Sequence, residues 1–389
     1  MNALAKLKEH HDEAKTWRRH LHANPETSFE EVKTSQYVVD LLTSWGIEVH
    51  RGLAKTGVVG VIKGNKPGTK SIGLRADMDA LDIYEETNAP YRSTVEGKMH
   101  ACGHDGHTAT LLLAAKYLAE HRDFAGTVVL IFQPAEEGGG GGDIMVKEGL
   151  FDKFPCDAVY GMHNWPYLPE GVFSVSSGAI TASTDEFKIK VTGKGGHAAF
   201  PHVCIDPIVI GSHIVTALQT LISRVANPAE MGVVSVTKFQ AGTGAYNIIP
   251  ETIEMGGTVR TTSPALREKL EKGIRTLTKT IATSMGGDAD IDWRYGYPST
   301  VNTEAETNFA RSVAIDLVGK DKVEDFVPTM GGEDFAYMLQ KRPGCYIALG
   351  TAKDENTPGL HNPKFDFNDD ILPLAASYWV RLTEKYLNG

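Results

Sequence analysis

Apolar positions recur along the chain at two different periods. Leu4, Leu7, Ala14, Trp17 and Leu21 fall at helical spacing with charged residues between them, which predicts an N-terminal helix. A second helix is expected over residues 28–45, stopped by Gly46. Strands are predicted at 58–63 and 71–76, and a helix at 108–121 with apolar Leu112, Ala115 and Leu118. Residues 127–132, Thr-Val-Val-Leu-Ile-Phe, form a continuous apolar run, as expected of a strand covered on both faces. Residues 158–162 and 346–349 read as further short buried strands. Strands alternating with helices argue for an α/β layered domain.

The middle of the chain has a different pattern. Residues 186–191, Glu-Phe-Lys-Ile-Lys-Val, alternate as a half-exposed strand does. A helix over 205–225 follows, taking hold after Pro207, then strands at 232–239 and 252–260. Residues 264–284 start within the run Ser-Pro-Ala-Leu-Arg-Glu that begins at Ser263, a helix start, and a closing strand is expected at 289–295. That order is β-α-β-β-α-β, the split ferredoxin-like pattern. The expected organisation is therefore a discontinuous α/β domain, residues 1–183 and 297–389, carrying an inserted domain at 184–296.

Composition narrows the function classes. The chain has 389 residues, ordinary for a soluble globular protein at 41% hydrophobic and 23% charged. Its formal charge of −10 disfavours nucleic acid and anionic membrane surfaces as partners. Four separated cysteines without a C-x-x-C motif do not make a disulfide framework, and a reducing cytoplasm is expected. Residues 1–20 are charged and amphipathic rather than a signal core, and no apolar run approaches the ~20 residues of a membrane span.

Candidate chemistry lies in four segments after or near predicted strands: His100 to His107, Gln133 to Gly138, Gly161 to Asn164, and Gly359 to Pro363. Sites in open α/β sheets form at the carboxyl ends of strands. Three of these segments offer Cys or His, and the fourth offers paired carboxylates, together the ligand set of zinc-like divalent metals. Taken singly, each has a plain alternative. Cys102 could be a buried small hydrophobe, His104 a loop histidine, His107 a helix cap, and Glu136-Glu137 a solvated acidic pair. In Cys102-x-His104, however, two soft ligands sit among glycines that let the backbone wrap an ion. Glu136-Glu137 follows a wholly apolar strand and precedes five glycines, an unusual place for a solvated pair. Adjacent glutamates also suggest divided labour: one binds metal, the other holds and deprotonates a water. No G-x-S-x-G elbow, phosphate loop or H-E-x-x-H helix is present.

At these residues the sequence resembles the metal-dependent amidohydrolase and peptidase family of aminoacylases, hippurate hydrolases, indole-3-acetyl-amino-acid hydrolases and N-acetyldiaminopimelate deacetylases. The resemblance spans nearly the whole chain, including L-H-A-N-P-E at 21–26, L-R-A-D-M-D-A-L at 74–81, M-H-A-C-G-H-D-G-H at 99–107 and Q-P-A-E-E-G at 133–138. G-K-G-G-H-A-A-F-P-H at 193–202, N-I-I-P at 247–250, G-T-V-R at 257–260 and G-G-E-D-F at 331–335 also match.

This likeness implies a zinc-peptidase-like α/β/α catalytic domain with an inserted ferredoxin-like lid and dimerisation domain. It implies two divalent metal ions, manganese or zinc, with cobalt or nickel as alternatives. By motif the ligands are Cys102, His104, Glu137, His163 and His361, with Cys102 where related peptidases have a bridging aspartate. Glu136 matches the general base and Asp79 an outer-shell aspartate, while Asp77 stands where relatives have a metal-binding histidine. His197 matches a histidine thought to stabilise the oxyanion of a neighbouring site. Asn247, Arg260, Gly332 and Glu333 match substrate-binding positions. The implied partners are a small N-acyl amino acid or dipeptide-like substrate and a second copy of the chain, as a dimer through the lid or as a tetramer. One departure from the family pattern is Asp82, where a proline is usual. The implied reaction is amide hydrolysis of N-acyl or N-aroyl amino acids. A dipeptidase or carboxypeptidase with the same site and a non-catalytic binding protein on this fold are the rival readings.

Overall fold

The computed structural model describes residues 3–242 and 244–389. Contacts divide the chain into two units. One comprises residues up to 178 with 301–327 and 334–389, the other 179–300 with 328–333. The boundaries thus fall a few residues outside the expected 184–296. The short segment 328–333 also groups with the second unit, because Thr329 N–H donates to Ile180 O (3.0 Å) and Ala182 N–H to Gly331 O (2.9 Å).

The first unit is built on an eight-stranded mixed sheet. Its centre is four parallel strands in the order Ala125–Gln133, Lys66–Asp77, Ala158–Pro169 and Gly344–Ala352. Gly57–Lys63 and Glu48–Leu53 extend one side antiparallel, and Glu48–Leu53 is the edge. The helix His104–Glu120 is almost wholly buried and packs against Leu372–Asn388 and His11–Ala23. A helix apolar on all sides belongs in such an interior position.

Several details differ from the pattern-based expectation. The N-terminal helix is two, Ala3–Glu9 and His11–Ala23, broken at His10. The next helix, Val32–Ser44, begins later than residue 28, because Phe29 adopts a left-handed φ of 65°. His163 and Asn164 lie within a strand, since Ala158–Pro169 runs on past them.

In the second unit, Ser183–Thr192, Pro207–Leu218, Gly232–Ala241, Thr252–Thr261, Pro264–Ser284 and Asp288–Tyr295 follow in the order β-α-β-β-α-β. The sheet order is Gly232–Ala241, Thr252–Thr261, Ser183–Thr192, Asp288–Tyr295, antiparallel throughout. The helix Pro207–Leu218 continues as a π turn, Leu221–Val225. By length and composition the stretch Pro207–Val225 is apolar enough to cross a membrane, which the run-by-run reading of the sequence did not anticipate. Here Ile210, Ile214, Leu218 and Leu221 join the unit's core, while Ile208 and Val209 stay exposed.

Candidate metal centre

Glycines shape the segment that carries Cys102 and His104. Gly103, at φ +94°, turns the chain into the helix His104–Glu120. A Cβ at Gly103 would lie 2.3 Å from Asn164 Oδ1, so glycine alone allows both the turn and the close approach. The His104 Nδ1–H donates to the Asp79 carbonyl (2.9 Å), which leaves its buried Nε2 without a hydrogen-bond partner. The His163 Nδ1–H donates to the Asn164 carbonyl (2.6 Å), leaving Nε2 3.4 Å from Cys102 Sγ. Hydrogen bonds of this kind fix the tautomer of a ligand histidine and aim its free nitrogen. His361 has φ +62°, and its N–H donates to the Ala101 carbonyl (2.8 Å). Its Nε2 lies 3.3 Å from Glu137 Oε1.

The glutamate pair sits on a turn held by two buried carboxylates. Three successive amides donate to them: Ala135 N to Glu31 Oε1 (2.9 Å), Glu136 N to Asp79 Oδ1 (3.0 Å) and Glu137 N to Asp79 Oδ2 (2.9 Å). Ala135 is in the left-handed region at φ +56°, a cost the surrounding hydrogen bonds must offset. Burial works against the charge of Asp79, yet His104 and the two amides hold its pKa below the usual carboxylate value. Burial raises Glu31 to about 6.

Of the trios in which ligand atoms converge among the described residues, two share a thiol. Cys102, His104 and His163 form one, and Cys102, Glu137 and His361 the other, the atoms of each lying within 4.8 Å of one another. Atoms this close together could serve one ion, since metal–ligand bonds run to ~2.0–2.3 Å. The buried Nε2 of His104 makes no hydrogen bond and lies 3.6 Å from Asp77 Oδ2 and 3.9 Å from Glu137 Oε1, a placement that fits a metal ligand. Electrostatics agree. Burial opposes a charged His104, but Asp77, Asp79 and Glu137 hold its pKa up to about 10, so the carboxylates here demand positive charge. Burial, followed by Glu137, Glu136 and Asp77, pushes the Cys102 thiol well above its ordinary range. Cation binding here therefore displaces protons.

Asp77 also faces the site, its Oδ2 3.6 Å from His104 Nε2 in a further trio with His107, but both of its oxygens hold other partners. Its Oδ2 accepts from Arg75 (2.7 Å) and its Oδ1 from His107 Nδ1 (2.6 Å). Burial opposes its charge, but His104, Arg75 and His107 keep it well below the usual carboxylate range. Arg75 also donates to Asp334 (3.1 Å), whose other oxygen accepts from Gly142 N (2.8 Å). Asp77 thus braces the sheet end behind the ligands.

Similarity to known proteins decides the family. The model of peptidase family M20/M25/M40 matches residues 73–385. The chain belongs to this family. It is 42% identical over 389 residues to a hippurate hydrolase of Campylobacter jejuni, covering 100% of both chains. It is 40% identical to thermostable carboxypeptidase 2 of Saccharolobus solfataricus, again covering 100% of both. A Bacillus subtilis structure described as a dinuclear metal-binding peptidase of family M20 superposes with a TM-score of 0.85 at 37% identity, covering 98% of this chain and 99% of that one. The protein is thus a metal-dependent amidohydrolase of the M20 family.

In this M20 enzyme the structure gathers Asp79, Cys102, His104, Glu136, Glu137, His163 and His361 in the first unit. The remaining motif residues belong to the second unit. His197 is exposed on the short strand Gly196–His197, paired with Ile248–Ile249. Asn247 is exposed, and its carbonyl accepts from Ala198 N (2.9 Å). Arg260 donates to Thr258 Oγ1 (3.1 Å), and burial lowers its pKa. A Cβ at Gly332 would meet Thr184 Cγ2 at 2.5 Å. The Glu333 carbonyl accepts from Thr300 Oγ1 (3.3 Å). Asp82 is exposed.

Sequence reasoning missed Glu31, Arg75, Asp77 in its bracing role, and Asp105. Beside the local Arg75–Asp77 pair, each has partners far along the chain: Glu31 meets Ala135, Arg75 meets Gln133 and Asp334, Asp77 meets His107, and Asp105 meets Arg18 and His22. Glu31 gives a test. Glu31→Ala is expected to lower kcat roughly 10- to 100-fold with bound metal retained. Glu31→Gln keeps an oxygen acceptor for Ala135 N and should lose far less. Steady-state kinetics beside metal analysis checks this, and equal losses in both variants would refute the positioning role.

Proposed function

We propose that this enzyme uses two divalent ions, manganese or zinc, to hydrolyse the amide bond of N-acyl or N-aroyl amino acids. The observation that carries the reading is the pair of ligand trios sharing Cys102, with Glu136 beside them. Cys102, His104 and His163 would hold one ion, and Cys102, Glu137 and His361 the other. When bound, the ions supply Lewis acidity towards water and the amide carbonyl. Glu136 takes the proton of the attacking water and later delivers it to the departing amine. Asp79 holds the amides of both glutamates, so the base keeps its place while its charge changes. On the second unit, His197 is the candidate donor to the oxyanion of a neighbouring site, and Arg260 with Asn247, Gly332 and Glu333 the candidate set for a substrate carboxylate, with which a guanidinium pairs well.

The reading includes a homodimer formed through the second unit. Exposed Phe200, Val203, Ile208, Val209, Phe239 and Ile248 support it, alongside the edge strand Gly232–Ala241. It also includes a cytoplasmic setting, supported by four free cysteines. A carboxypeptidase reading is favoured by the named relative from Saccharolobus solfataricus and shares the same chemistry. A panel of acyl-amino acids and dipeptides separates the two.

Chelation gives the first check. Removing metal should abolish hydrolysis across the panel, and adding back manganese or zinc should restore it at two ions per chain. Unchanged hydrolysis after verified metal loss would sink the mechanism.

A further inference from the structure

The strand Ala158–Pro169 continues past a metal ligand. Alternate residues of a strand share a face, so His163, Trp165 and Tyr167 stand in one line. Their rings form a continuous series: His163 to Trp165 is 6.1 Å between centroids, and Trp165 to Tyr167 is 5.5 Å. Phe326 packs on Trp165 at 5.3 Å and is itself buried. Trp165 is only half-buried and Tyr167 is 61% exposed, so neither is consumed by the core. The line also touches the segment that carries His361. A Cβ at Gly359 would lie 2.7 Å from Tyr167 Oη, which seats that backbone directly against the ring.

An aromatic wall thus starts at one ligand and ends against the segment bearing another. All four aromatic positions lie in the first unit. Nothing in the metal chemistry requires these rings. A flat apolar group attached to the scissile carbonyl does fit them, because offset and edge-to-face ring pairs are favourable beyond the area they bury. Resting on the amide-hydrolase reading above, we propose that Trp165, backed by Phe326 and flanked by Tyr167, forms the subsite for an aryl or arylalkyl acyl group. Trp165 is then the residue that sets preference for N-aroyl over N-acetyl amino acids.

The test compares metal-loaded wild type, Trp165→Ala and Trp165→Phe on N-benzoylglycine and N-acetylglycine. In Trp165→Ala, kcat/KM for the benzoyl substrate should fall roughly 10-fold or more relative to the acetyl substrate, a scale typical of an apolar pocket contact. Trp165→Phe should recover most of the preference. A general structural role would lower both substrates in proportion, and that result overturns the proposal. Calorimetric binding of benzoate and acetate gives a readout independent of turnover. If benzoate binding depends on Trp165 while no acyl-amino acid is hydrolysed, the subsite stands and the substrate reading fails. If both substrates are hydrolysed with a ratio unmoved by Trp165→Ala, the subsite fails and the substrate reading stands.

Discussion

Glu136→Gln is expected to reduce turnover roughly 10³-fold or more while leaving metal content unchanged. General-base residues typically contribute 10²–10⁴-fold, and an amide cannot take a proton from water. The substitution is nearly isosteric. It keeps the backbone N–H donated to Asp79 and so preserves the turn. Glu137→Gln is the matched control. Glu137 belongs to the trio with Cys102 and His361, so its amide variant should lose metal as well as activity. Turnover measured at saturating metal, beside metal content per chain, separates the two. Glu136→Gln activity within tenfold of wild type would remove Glu136 from its assigned role.

The contrast between these neighbours shows what a sequence can display. Cys102, His104, Glu136 and Glu137 were legible because their chemistry is unusual where it stands, among glycines and after an apolar strand. The residues that hold them were not. Glu31 meets Ala135 across 104 residues, and His22 meets Asp105 across 83. Only the fold creates these pairs, and a glutamate in a stretch such as Phe29-Glu30-Glu31 looks solvated. The fold itself divides in the same way. Strands buried on both faces, such as Ala125–Gln133, announce themselves through continuous apolar runs. Glu48–Leu53 escaped notice because an edge strand with one buried residue, Leu53, has no such pattern. The helix at residues 4–21 was read as continuous because periodicity records faces and is blind to a one-residue break at His10.

The largest stability effect is expected at Arg18. This guanidinium is wholly buried, with Nε 2.9 Å from Asp105 Oδ2 and a terminal nitrogen 2.5 Å from Asp366 Oδ1. Asp105 follows His104 directly and also accepts from Gly106 N (2.9 Å) and pairs with His22 Nδ1 (2.8 Å). Arg18→Met fills similar space but removes the main counter-charge of a buried carboxylate, a change that typically costs about 3–5 kcal/mol. Denaturant unfolding of the metal-free protein should show that loss. Arg18→Met with Asp105→Asn should recover part of it, since the orphaned charge is then gone. The pH dependence has a definite sign. Burial opposes the charge of Asp105, but Arg18 and His22 hold its native pKa far below the usual carboxylate range. Its contribution is therefore complete above the ordinary value near ~4 and fades as pH falls below it towards the native one. The deficit of Arg18→Met should accordingly be largest at neutral pH and shrink as pH drops below ~4. A deficit that grows in acid, or one below ~1 kcal/mol at neutral pH, would show that the pair does not anchor the ligand segment.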